Sequence, residues 1–249
     1  MTQIEVNQVY LTAYAVNVLL QCMHGGFALG MNNQVGSVLA EKLGWQGQET
    51  IDLNNTLISS SSVIGLIVKH LQEARIAVEQ TREPGGTPMA EAIRECVKHD
   101  WDETVAEETE LLLMYAARVQ LLTNRILPAL NAGQWVVGDR HDLSSQAYQG
   151  GGRGVSADTM TAISKIALNG FKPNLTLYLD VEPAIGLERA RGRGELDRIE
   201  QAGLAFFERT RERYLSLAAQ DDSIVVINAM QAMEDVHKDV ITAVQEYLS

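Results

Sequence analysis

The chain has 249 residues, 46% of them hydrophobic. That is enough for one large α/β domain, or a domain plus an appendage, and it excludes a disordered chain. The formal net charge of −12 argues against DNA or RNA as the main partner, because polyanion binders carry a basic face. A small anionic ligand stays open, since a few clustered arginines make a local basic pocket. Cys22 and Cys96 form no CxxC pair and the five histidines no zinc-binding spacing, which predicts a reduced intracellular protein without a protein-built zinc site.

Residues 1–59 form an atypical apolar segment. From Val6 to Ala40 there is no charged side chain, and Val9 to Met31 is long enough, as a helix, to cross a bilayer's hydrocarbon core. No basic region precedes it, so it is not a signal peptide of the usual kind. Gly25, Gly26 and Gly30, with Asn17, Gln21 and His24, suit a membrane helix packed on others. The stretch weakly resembles the first membrane helix of a major-facilitator sugar transporter, which makes membrane contact through residues 9–31 one expectation. The other is a buried helix, or a β-rich piece around Val9 to Leu20, inside a soluble fold. The serine run Ser59 to Ser62 marks the junction with a second unit, residues 60–249.

From Val63 the pattern alternates between helix and strand. Val63, Leu66, Ile67 and Leu71 fit one helix face, and Ile76 to Thr81 reads as a strand ending in a turn at Gly85-Gly86. Thr87 with Pro88 predicts a capped helix start, followed by the apolar stripe Met89, Ala90, Ile93 and Val97. A long helix is expected from Thr104 to Ile126, opened by a capping box of Thr104 and Glu107 and stopped before Pro128. Trp135 to Gly138 and Leu175 to Val181 read as buried strands. Helices are expected at Ala184 to Arg191 and Ile199 to Ala218, then a strand at Ser223 to Ile227 and a last helix to Tyr247.

Four segments carry the chemistry: TREPGGT (Thr81 to Thr87), MYAARVQ (Met114 to Gln120), DRHDLSSQAYQGGGRG (Asp139 to Gly154) and RARGRGELDRIE (Arg189 to Glu200). In this order and spacing they resemble the bacterial thymidylate kinases, enzymes that move the γ-phosphoryl of ATP onto dTMP. The resemblance covers residues 60–249. It implies a three-layer α/β fold of the P-loop-kinase kind, a parallel sheet with helices on both faces, in the cytoplasm. It also implies dTMP and ATP as ligands, with Mg2+ and no nucleic acid, and commonly a homodimer. Phosphoryl transfer suits such a set, because it needs two anions held in line and their charge neutralised.

By the same resemblance Arg140 grips the dTMP phosphate, where a planar guanidinium serves better than lysine. Asp139 helps to organise Mg2+ or orients that arginine; the alternative is a structural ion pair at a strand end. Arg118 meets the thymine edge, and Met114 falls where the family usually has a stacking phenylalanine. Ser144, Ser145, Tyr148 and Gln149 lie in a glycine-rich loop that supplies base contacts, with the tyrosine crowding the sugar's 2′ position. Arg82 faces the nucleotide phosphate. Arg189, Arg191 and Arg193 match a basic lid over ATP, Arg191 stabilising the transferring charge.

One part of the pattern is missing. The family's first strand leads through a GxxxxGK[ST] loop into the helix that here begins near Val63. The loop lysine would fall near Ser60, but the sequence there is LNNTLISSSS, without glycine or lysine. Ser61 or Ser62 is either a remnant of the motif's hydroxyl residue or a junction residue. The first strand, central in the family's sheet, also looks replaced. Glu49 to Leu53 is nearest in register but poorly apolar, and Val9 to Leu20 is apolar but distant. Three readings follow: a thymidylate kinase of impaired activity, a dead kinase-like dTMP-binding protein or fusion product, and a membrane-tethered kinase-like domain.

Overall fold

The structure is a computed structural model that describes residues 10–15, 60–191 and 198–248. Strands β1 (Tyr10–Ala15), β2 (Val78–Arg82), β3 (Trp135–Asp139), β4 (Leu175–Asp180) and β5 (Ile224–Asn228) form one parallel sheet in the order β2-β3-β1-β4-β5. The central slot is therefore filled. Tyr10 to Ala13 pair with Val136 to Asp139 on one side, and Leu11 to Ala15 with Leu175 to Leu179 on the other. Without β1, two buried strands would face each other across a gap of unpaired N–H and C=O groups. A continuous helix from Val9 to Met31 is ruled out at residues 10–15, which are extended. The rest of that stretch, Glu49 to Leu53 and the transporter likeness lie outside the described residues. No helix among the described residues is long and apolar enough to cross a membrane.

Nine helices among the described residues flank the sheet: α1 (Ser60–Glu73), α2 (Pro88–Lys98), α3 (Glu107–Leu121), α4 (Leu127–Asn131), α5 (Asp142–Ser145), α6 (Ala157–Leu168), α7 (Pro183–Arg191), α8 (Leu204–Ala218) and α9 (Met233–Leu248). The pleat sends alternate side chains to opposite faces. Val137, Leu177 and Leu179 meet Val63, Ile67 and Leu71 of α1 and Val236, Val240 and Val244 of α9. On the other face Val136 packs in a cluster with Leu111, Tyr115 and Leu121 of α3 and Met160 of α6, and Tyr178 with Phe206, Phe207 and Tyr214 of α8. Each such side chain, removed from water, contributes about 1.5–3 kcal/mol.

Thr87 caps α2 as its sequence predicts, its hydroxyl accepting from the N–H of Ala90 at 3.3 Å, with Pro88 in the first turn. The capping box at Thr104 does not form. α3 begins at Glu107 behind Ala106, without a side-chain cap, and three acids in its first turn complement the helix dipole instead. Nor does Pro128 stop the helix. Leu122–Ile126 is a wider π turn, in which the N–H of Leu127 reaches the carbonyl of Leu122, and α4 then carries Pro128 in its first turn. The proline, which has no N–H to give, is accommodated where the ladder shifts register.

The glycine-rich stretch, expected as a loop, is also helical: α5 runs into a π turn over Gln146–Gly152. Its glycines are required by close approach. A Cβ on Gly151 would stand 2.6 Å from Cβ of Arg213, and one on Gly152 would stand 2.4 Å from the Phe206 ring. The following helix α6, absent from the sequence reading, is capped by Ser156, which accepts from the N–H of Thr159 at 3.2 Å, and ends at Asn169 in the left-handed region.

Candidate active site

Consecutive residues at the ends of β2 and β3 line two different clefts. Arg82 and Asp139 line one, with Gln80, Thr81, Thr87, Glu91 and Arg125. The next residues, Glu83 and Arg140, line the other, with Met114, Arg118, Ser144, Ser145, Tyr148, Gln149 and Ile199. Both lie at the C-terminal ends of parallel strands, where α/β sheets bind ligands.

The second cleft is organised by buried charge. Glu83, 5% exposed, receives Nε of Arg118 at 2.7 Å and lies 2.8 Å from Nδ1 of His141. Burial works to raise the Glu83 pKa, but Arg118 and His141 outweigh it and hold the carboxyl below its usual range. Arg118 also donates through Nη2 to the carbonyl of His141 at 3.1 Å and to Oγ of Ser145 at 3.0 Å. Its Nη1 makes no hydrogen bond and lies 3.5 Å from Asp142. A buried donor without an acceptor costs on the order of 1–3 kcal/mol, a cost that a ligand acceptor would remove. The hydroxyl of Tyr148 is also buried, beside the Arg140 guanidinium.

Tyr148 stands beneath the Arg140 guanidinium, 5.2 Å from its ring centroid. Arg140 has φ +71°, a conformation that L side chains rarely hold, and it is buried. Ser144 contributes by supporting Tyr214, hydroxyl to hydroxyl at 2.9 Å, and Ser145 by accepting from Arg118.

Sequence reasoning missed Arg94. It is 6% exposed, donates through Nη1 to the carbonyl of Pro84 at 3.1 Å, and has its pKa lowered by burial first and then by the charges of Arg82 and Arg140. Three guanidiniums thus crowd the ends of β2 and β3. The spacing Arg82–Arg94 was the available signal: α2 turns back over the Gly85-Gly86 turn and returns its second turn to the strand end. Arg82 has a partner of its own. It turns to the first cleft and grips Glu91 with Nη2, at 2.9 and 2.7 Å, while the N–H of Gly86 donates to the same carboxylate at 2.7 Å.

Sequence comparison decides what these features belong to. The profile of the family described as thymidylate kinase matches residues 61–240. The chain belongs to the thymidylate kinase family. A thymidylate kinase of Alteromonas mediterranea is 82% identical over 189 residues, which are 76% of this chain and 85% of the relative. One of Idiomarina loihiensis is 60% identical over 188 residues, 76% of this chain and 92% of its own. A thymidylate kinase of Vibrio parahaemolyticus is 58% identical over 191 residues, 76% and 91%.

In this thymidylate kinase-family chain Ser61 and Ser62 lie in the first turn of α1, with Ser62 exposed. Arg189 and Arg191 end α7, and Arg193 lies outside the described residues. Among the described residues no group of three or more His, Cys, Asp or Glu side chains gathers to form a metal cage. Asp139 at the mouth of the first cleft, beside Thr81 with its buried and unpartnered hydroxyl, is an oxygen-donor set. It fits Mg2+ in the usual kinase manner, one or two protein oxygens with substrate phosphates completing the shell.

Proposed function

We propose that this chain is a dTMP kinase with an intact acceptor site and a deficient donor site. The observation that carries the reading is the pairing of the two clefts at consecutive residues, with Arg82, Arg94 and Arg140 around the junction. Arg94 and Arg140 are buried and Arg82 is partly exposed on Glu91; guanidiniums brought this close are stabilised by an anion, and a nucleotide phosphate held by planar forks supplies one. The thymine then enters the inner pocket, where Nη1 of Arg118 donates to the base, Met114 packs on its face and Tyr148 lies near the sugar. The attacking phosphate oxygen points from Arg140 towards Asp139 and the outer cleft, where ATP binds.

Asp139 and Thr81 would hold Mg2+ there. Such an ion would supply charge neutralisation during transfer. Arg140 orients the acceptor, and Arg189, Arg191 and Arg193 attract ATP. The sequence nevertheless has no Gly-Lys pair anywhere, so the lysine and the backbone cradle that fix the β- and γ-phosphates in this fold are missing. Losing one oriented donor to developing charge costs about 2.7–4 kcal/mol, or roughly 10²–10³ in rate. We therefore expect turnover at least about a hundredfold below that of a version in which a GKS-type loop joins β1 directly to α1. A coupled assay of ADP release, run on both with dTMP and Mg2+, reads this. Comparable turnover would show that another backbone nest holds the phosphates. The fall in turnover, with dTMP still bound, separates the impaired kinase from an intact one; zero turnover makes the chain a dTMP-binding protein.

A further inference from the structure

Glu110, on α3, does not line the inner pocket, yet it holds Gln149, which does, and Arg198, whose neighbour Ile199 does. It is 2% exposed. Its Oε1 accepts from Nε2 of Gln149 at 2.8 Å, and its Oε2 pairs with Arg198 at 2.7 Å and Arg153 at 3.2 Å. Arg198 reaches across to the carbonyl of Val97 at the end of α2, and the next residue, Ile199, lines the pocket. Burial favours a neutral Glu110, but Gln149, Arg153 and Arg198 outweigh it and hold its pKa below the ordinary carboxylate range.

An ionised carboxylate has no proton to give, so it can face only the amide nitrogen of a glutamine. The orientation of Gln149 is therefore not free: Nε2 is bound to Glu110, and Oε1 is the end available to a ligand. Glu83 does the corresponding thing for Arg118, occupying Nε and leaving Nη1 without a hydrogen bond, with only the charge of Asp142 3.5 Å away. Arg118 thus offers the pocket a donor and Gln149 an acceptor, each fixed by a buried carboxylate behind it.

We infer that Glu110 is a specificity-setting positioning residue, whose carboxylate turns the Gln149 carbonyl to the pocket and so selects pyrimidines with N3–H and a 4-oxo group over 4-amino pyrimidines. A thymine or uracil base brings an acceptor at O4 and a donor at N3, matching Arg118 and Gln149. Cytosine brings a donor at the 4-position and a lone pair at N3, so it sets donor against donor and acceptor against acceptor. The inference rests on the reading of the inner pocket as the acceptor-base site.

The test uses the full chain and calorimetric affinities for dTMP, dUMP and dCMP. In Glu110→Gln the neighbour can present either end of its own amide, so Gln149 is released to rotate. The preference for dTMP over dCMP should narrow about tenfold or more, the size of one hydrogen bond made or left unmet. The preference for dUMP over dCMP should narrow equally, while the dTMP:dUMP ratio, which reads only the methyl group, stays unchanged. A purely structural role would weaken all three ligands together. Glu110→Asp keeps the charge for Arg153 and Arg198 but withdraws the carboxylate from Gln149, so it serves if the first variant does not fold, and it should narrow the same two ratios. Unchanged dTMP:dCMP preference in a folded variant overturns the inference. Failure of the unaltered chain to bind dTMP overturns instead the reading of the site on which it rests.

Discussion

At the scale of single residues, the site is a set of charges held where water cannot relax them. Arg140 carries most of the argument, and its φ of +71° separates two effects that one substitution would mix. Arg140→Ala and Arg140→Gly both remove the guanidinium, but only glycine adopts that backbone without strain. The glycine variant should be more stable than the alanine variant by about 1 kcal/mol, read as the difference in denaturant midpoint, although neither grips a phosphate. Equal stabilities would mean that the left-handed conformation is not held in solution. Glu83 and Glu110 give the molecule an acid limit. Both have folded-state pKa values depressed below the ordinary carboxylate value, so their contribution is fully present above that value and lost as pH falls through the folded one. Thermal stability should accordingly fall below about pH 4.5. Glu83→Gln should be less stable at neutral pH, because Arg118 is left buried with its main partner gone, and should show a flatter acid limb. An acid limb as steep as that of the unaltered chain would remove Glu83 from the account. Arg118, Arg140, Tyr148 and Gln149 were legible in the sequence because each sits in a motif. Glu110 was not, since a lone glutamate on an amphipathic helix reads as a solvated face until the fold shows it buried, and Arg94 had only its spacing from Arg82 to mark it.

At the scale of elements, regular patterns were readable and corrections came from backbone geometry. The strands at Trp135 and Leu175 stand out as short apolar runs, and β1 does so less, being lodged within a longer uncharged stretch. The two π turns had no sequence signature. One lets Pro128 sit inside a helical run; the other, with Gly151 and Gly152 pressed on α8, aims Tyr148 and Gln149 into the pocket. The sharpest element-level expectation concerns β1. Ala13 pairs with Asp139 on one side and Leu177 on the other, so Ala13→Pro removes a ladder hydrogen bond from the centre of the sheet. The variant should lose about 3 kcal/mol or more in a denaturant titration, whereas a proline in an unpaired segment would cost little. An unchanged midpoint would show that residues 10–15 do not fill the central slot.

At the scale of the whole molecule, this thymidylate kinase-family chain fills the centre of its sheet with residues 10–15, far upstream of the helix α1 that follows in the fold. The alternation of helix and strand made the doubly covered parallel sheet readable from residue 63 onward. What fills its centre was not readable, because candidate strands upstream differ in apolarity and distance, and pairing between them is a tertiary choice. The proposed dTMP site needs only the inner cleft, so binding there is independent of whether ATP is used well. Calorimetric titration of the full chain with dTMP tests it most directly, beside Arg140→Ala. We expect one saturable site in the unaltered chain, weakened roughly ten- to hundredfold in the variant by loss of charge-assisted hydrogen bonds. No saturable binding, or equal affinity in the two proteins, would contradict the account.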